Sequence, residues 1–154
     1  MQMASRPTES NYRSLAEFRY QIRLFIADSD ETARSAKLEP EQFQLLLAVR
    51  GMPEGSSATI QRLASRLLVR HNTAVERIDR LARMGLLRRT HSSTDHRVVF
   101  VELSARGKRI VEKLAHKRVQ ELRRHGHELI AALAKIISST RTNRKNKKAS
   151  RPEN

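Results

Sequence analysis

The sequence predicts a mainly α-helical fold with one small β-hairpin, and three observations predict it. Apolar residues recur at three- and four-residue steps over most of the chain, which marks helices with one buried face. Two apolar stretches, Leu86-Leu87-Arg88-Arg89 and Val98-Val99-Phe100-Val101-Glu102-Leu103, flank a polar loop and read as paired strands. Helix-starting and helix-stopping residues such as Pro40, Gly51, Thr59, Gly85 and Ser104 fall at the edges of the periodic segments.

Residues 1–11 are polar and are expected to form a flexible arm. From Tyr12 the positions Leu15, Phe18, Ile22, Phe25 and Ile26 line one face of a long helix that ends near Lys37. Pro40 suits the first position of a second helix, which carries Phe43, Leu46 and Leu47 inward and stops at Gly51. Met52-Pro53-Glu54-Gly55-Ser56-Ser57 is a turn by composition. Thr59 caps a short helix over Ile60–Leu67, with Leu63, Ala64 and Leu67 buried. Another helix begins near Asn72, buries Ala74, Ile78 and Leu81, and ends at Met84 with Gly85 as its stop. After the hairpin, Ser104 caps a helix from Ala105 to about Arg124; Gly126 is expected to interrupt it before a last helix carrying Leu129, Ile130, Leu133, Ile136 and Ile137. Residues 140–154 are expected to be a basic disordered tail.

Lys and Arg exceed Asp and Glu by 15 over 154 residues, and the excess is unevenly spread. Residues 1–59 carry a net −1, 60–103 a net +5, 104–125 a net +6, 126–140 zero and 141–154 a net +5. Such a balance favours a polyanionic partner, nucleic acid before an acidic membrane surface. The chain has no cysteine, which excludes a disulfide framework, a Cys-ligated zinc site and a thiol switch. No apolar run, Leu45 to Val49 included, approaches the ~18 residues needed to span a bilayer, and the opening residues lack the layout of a secretory signal. A cytoplasmic protein is expected. There is no Gly-rich phosphate loop, no Ser nucleophile elbow and no second His completing a zinc-protease motif after His127-Glu128, so neither an enzyme nor a cofactor is expected. His116, His125 and His127 read as helix-surface residues rather than a metal site, given the absence of clustered carboxylates.

Two short helices joined by a tight turn and followed by a hairpin make a winged helix-turn-helix. The second helix must present a polar face to a DNA major groove, which admits one helix. His71, Asn72, Thr73, Val75, Glu76 and Arg77 lie at its start or on its outer side. Asn and His can hydrogen-bond purine edges, Arg can take guanine bidentately, and Val75 or the Thr73 methyl can meet a thymine methyl. A carboxylate at Glu76 can equally serve to orient a neighbouring Arg. Arg70 at the turn and Arg88 and Arg89 at the strand root are candidate phosphate contacts, which would set register and affinity. Arg80 has Asp79 and Glu76 as candidate partners.

The run from Leu67 through Arg70-His71-Asn72-Thr73 to Met84-Gly85-Leu86 closely resembles the recognition helix of MarR-family transcriptional regulators. Asp95-His96-Arg97, followed after five residues by Leu103-Ser104, is similar to that family's Asp-x-Arg…Leu-Thr wing pattern, with Ser in place of Thr. The resemblance covers roughly residues 12–138. It implies that Arg97 reaches into the minor groove, where a narrow A·T-rich tract has enhanced negative potential, and that Asp95 positions it. It also implies a homodimer built on residues 12–37 and 104–139, with 38–103 as the DNA-binding domain. These long amphipathic helices independently ask for a partner, and a two-fold dimer is the simplest closure. Such a dimer would read a pseudo-palindromic operator. Family members commonly bind a small aromatic or anionic effector beside the dimer helices, where Tyr12, Arg19, Tyr20 and Arg23 are candidates, although exposed polar residues at such spacing usually face water.

The function expected is therefore a sequence-specific regulator, a repressor released by a small molecule. The alternative is a basic architectural nucleoid protein binding DNA without sequence choice. An RNA-binding role is disfavoured, because aromatic residues make up only 4% of the chain and none decorates the reading helix.

Overall fold

Capping chemistry sets where the helices begin. In the computed structural model, which describes residues 6–95 and 97–149 with side chains through Ser138, the first helix α1 spans Glu9–Ser35. Thr8 starts it: its Oγ1 accepts from the Asn11 backbone N–H at 3.3 Å, and Asn11 Oδ1 accepts from the Thr8 N–H at 2.8 Å. The helix thus begins three residues before Tyr12, inside the segment expected as an arm. Helix α2, Pro40–Arg50, has Pro at its first position, and Gln42 Oε1 reaches back to the Glu39 N–H at 2.9 Å. Helix α3, Ile60–Arg66, is capped by Thr59 as expected, its Oγ1 accepting from the Arg62 N–H. Helix α4 spans His71–Arg83, strands β1 and β2 span Leu87–His91 and Val99–Leu103, and helix α5 spans Ala105–Ala149.

Three helices end in the same way. After α1, α3 and α4 the residues Lys37, Leu68 and Gly85 take φ values of +57°, +54° and +70°. Each places its own N–H and that of the next residue on two free carbonyls of the last turn, as in Gly85 N–H to Ala82 O and Leu86 N–H to Leu81 O. Only Gly85 adopts this conformation freely. A left-handed φ costs a residue with a Cβ roughly 1–2 kcal/mol.

Two corrections concern packing and continuity. Leu47 is 43% exposed, whereas Leu45 is fully buried beside Phe43 and Leu46, so α2 turns a neighbouring stripe inward. Gly126 does not break the last helix, and α5 is continuous through it. One glycine costs a helix only about 1 kcal/mol, and 45 residues of hydrogen bonding override that. The helix also runs through Ala149, into the segment expected as a disordered tail. Residues 1–5, His96 of the wing motif and residues 150–154 lie outside the described residues, as do the side chains of the basic tail residues Arg144, Lys145, Lys147 and Lys148.

The chain divides into two units, residues 29–119 and residues 1–28 with 120–154. The core sits in the first: Ala33, Leu38, Phe43, Leu45, Leu46, Leu63, Ala74, Ile78, Leu81, Leu86, Val101, Val111 and Leu114 pack as one cluster. The hairpin is antiparallel, pairing Leu87 with Leu103 and Arg89 with Val101, and it puts Leu87, Val101 and Leu103 on the core side. A short bridge from Thr59 to Phe100, with the Val101 N–H donating to Ala58 O at 2.8 Å, ties the start of α3 to β2. In the second unit most large apolar side chains remain open, among them Tyr12, Leu15 and Tyr20 on α1 and Ile130 and Ile137 on α5. No helix among the described residues is long and apolar enough to cross a membrane.

Candidate nucleic-acid interface

Helix α4 is packed from below and exposed above. Ala74, Ile78 and Leu81 of α4 are fully buried, so its rotation about its own axis is fixed by the core. That rotation leaves Arg70, His71, Asn72 and Glu76 exposed, with Thr73, Val75 and Arg77 half-buried at the margins. The turn from α3 contributes Leu68, which is 93% exposed, just before Arg70.

The C-terminal end of α4 is anchored to the start of α5. Ser104 donates through its hydroxyl to Gly85 O at 2.7 Å and through its backbone N–H to Leu86 O at 3.0 Å. The same hydroxyl accepts from the Gly107 N–H at 3.0 Å, so one side chain caps α5 and ties it to α4. Arg106 adds a bond from Nη1 to Met84 O at 3.2 Å. The approach is so close that a Cβ on Gly107 would lie 2.2 Å from Leu86 O. Ser104 was legible as a helix cap, but its second role was not, because it depends on how α5 crosses the end of α4.

The wing is organised by short polar side chains. Ser92 Oγ accepts from the N–H groups of Thr94 and Asp95, and the Ser92 N–H donates to Val98 O at 2.9 Å, closing the loop between the strands. Asp95 Oδ1 accepts from the Arg97 N–H at 3.0 Å, while its distance to Arg97 Nε is 3.9 Å. The carboxylate therefore holds the backbone of Arg97 and leaves its side chain 96% exposed. An exposed pair at that distance is worth little, so the arginine is free to leave it.

Asp79 is engaged by Arg89 rather than by Arg80. The Arg89 guanidinium donates to its carboxylate and ties the outer side of α4 to β1. Arg89, a candidate phosphate contact, braces α4 against the wing in this structure. Arg88 keeps an exposed side chain and lies opposite Glu102 in the hairpin register. Sequence reasoning missed the Asp79–Arg89 pair because the two residues meet only once the hairpin has packed beside α4.

Arg70, the start of α4 and the wing thus belong to one unit, residues 29–119. The four residues considered for an effector, Tyr12, Arg19, Tyr20 and Arg23, are all exposed on α1 in the other unit. Among the described residues no three His, Asp or Glu side chains group as a metal site.

Comparison with known proteins shows what this arrangement is similar to. Residues 36–98 match the sequence model of the MarR family. AbsC, a MarR-family transcriptional regulator from Streptomyces coelicolor, superposes with a TM-score of 0.71 at 18% identity over 96% of this chain and 100% of that one. A mutant MarR from E. coli complexed with operator DNA gives 0.61 at 21% identity over 79% and 89%. The S. aureus MepR–DNA complex gives 0.58 at 20% identity over 87% and 99%. No curated protein sequence matches the chain. Segment 36–98 is thus similar to the MarR family, and the chain shares its winged helix-turn-helix fold along most of its length with solved structures of MarR-family regulators.

Proposed function

We propose that the protein is a homodimeric, sequence-specific regulator of transcription that binds double-stranded DNA, a cytoplasmic repressor released by a small-molecule effector. The observation that carries the DNA reading is a buried-below, polar-above helix, α4, sharing one unit with a wing whose Arg97 is almost wholly exposed. In this reading His71, Asn72, Thr73, Val75, Glu76 and Arg77 meet base edges in the major groove, Arg97 enters the minor groove, and Arg70 and Arg88 hold phosphates. Arg89 acts through Asp79, setting the angle between wing and helix.

The dimer is supported by the apolar side chains that one chain leaves exposed on α1 and α5, including Leu15, Ile26, Leu122, Ile130 and Ile137. An effector would act by favouring a dimer whose two reading helices are wrongly spaced for DNA. Tyr12, Arg19, Tyr20 and Arg23 are the side chains we assign to it.

The test is selection of bound fragments from the source genome, followed by competition of the best fragment against random duplex at physiological salt. A regulator favours its site by ~10³-fold or more. Equal affinity for both would instead establish an architectural protein that binds through charge alone.

A further inference from the structure

Leu68 combines two unfavourable features that the fold does not require together. Its backbone is left-handed, with φ +54°, and its side chain is 93% exposed, more than any other large apolar residue described. The turn itself is closed by backbone atoms: the Leu68 N–H donates to Ser65 O at 3.2 Å and the Val69 N–H to Ala64 O at 3.0 Å. The apolar contact that accompanies such a turn is available from Val69 and Ala64, both packed with the core. The Leu68 side chain therefore serves neither the turn nor the core. At the two equivalent helix ends the chain places an exposed lysine, Lys37, and a glycine, Gly85.

What Leu68 adjoins is the start of α4, where Arg70, His71 and Asn72 are exposed. That end of a recognition helix meets the base edges. The apolar feature that base edges present in the major groove is the C5-methyl group of thymine. We propose that Leu68 is a specificity-determining residue that packs on a thymine methyl at one position of each half-site. The proposal rests on the reading of the protein as a sequence-specific duplex binder.

The experiment selects preferred duplexes from a random library with the wild type, Leu68→Gly and Leu68→Ala. Each thymine of the wild-type site is then replaced singly by deoxyuridine, which removes only the methyl. The wild type should lose roughly fourfold in affinity at one thymine per half-site, the worth of one buried carbon. Both variants should be indifferent to that replacement and should select sites that accept any base pair there. Selection of the wild-type site by both variants, with the same response to every deoxyuridine, overturns this inference alone. A wild type that selects no sequence overturns the regulator reading and this inference with it.

Discussion

Asp95 and Arg97 divide the work of the wing between them. The carboxylate fixes the backbone of the tip, and the guanidinium is left almost wholly exposed. Arg97→Ala should therefore weaken duplex binding, lower the salt slope by about one, and leave the oligomeric state unchanged; titrations at several salt concentrations check this. Leu68→Gly should raise thermal stability. Relief of the left-handed strain, about 1–2 kcal/mol, exceeds the roughly 0.5–1 kcal/mol that glycine costs through its freedom in the unfolded chain. A melting temperature at or below that of the wild type would remove strain from the description of this turn. At this scale the sequence was informative where a residue acts within its own segment. Asp95 and Arg97 are two residues apart in one loop, and the resemblance of their motif to the MarR wing implied that the acid positions the arginine. Asp79 and Arg89 belong to different elements, and their pairing depends on packing that no local pattern records.

Two glycines of α5 have opposite character. Gly107 lies where α5 presses on the Leu86 backbone, so a methyl there meets a carbonyl that cannot withdraw without moving the end of α4. Gly107→Ala should destabilise the protein by about 1–3 kcal/mol or more, and by shifting α4 it should also weaken DNA binding. Gly126 faces only the flexible Leu122 side chain, 3.7 Å from an added Cβ, within an unbroken helix. Gly126→Ala should stabilise by about 0.5–1 kcal/mol. Thermal melts of the two variants give shifts of opposite sign. The sequence rightly marked the ends at Thr59, Gly85 and Ser104, because caps are local chemistry. It misjudged Gly126, since propensity at one residue is weak against the hydrogen bonds of the turns around it. It also assigned Leu47 rather than Leu45 to the core, because every position from Leu45 to Val49 is apolar and periodicity alone cannot choose a face.

For the whole molecule, charge and shape make separate contributions. A net +15 per chain promises strong, salt-sensitive attraction to any duplex, and it says nothing of sequence. The open apolar side chains of α1 and α5 predict a dimer by light scattering at micromolar concentration; a monomer that binds its site tightly would contradict the proposed assembly. The helical class and the hairpin were legible because hydrophobic period and turn chemistry agree along residues 38–103. The division into two units was not, since it falls inside α1 and α5 where the sequence carries no break. In the function proposed, the start of α4 supplies sequence choice while the basic charge supplies affinity. Its most direct test compares the wild type with an Asn72→Ala, Arg77→Ala double variant on the selected site and on random duplex. The predicted result is that the ~10³-fold preference of the wild type collapses toward one while random-duplex affinity changes little. A double variant that keeps the full preference, or weakens equally on both duplexes, would contradict it.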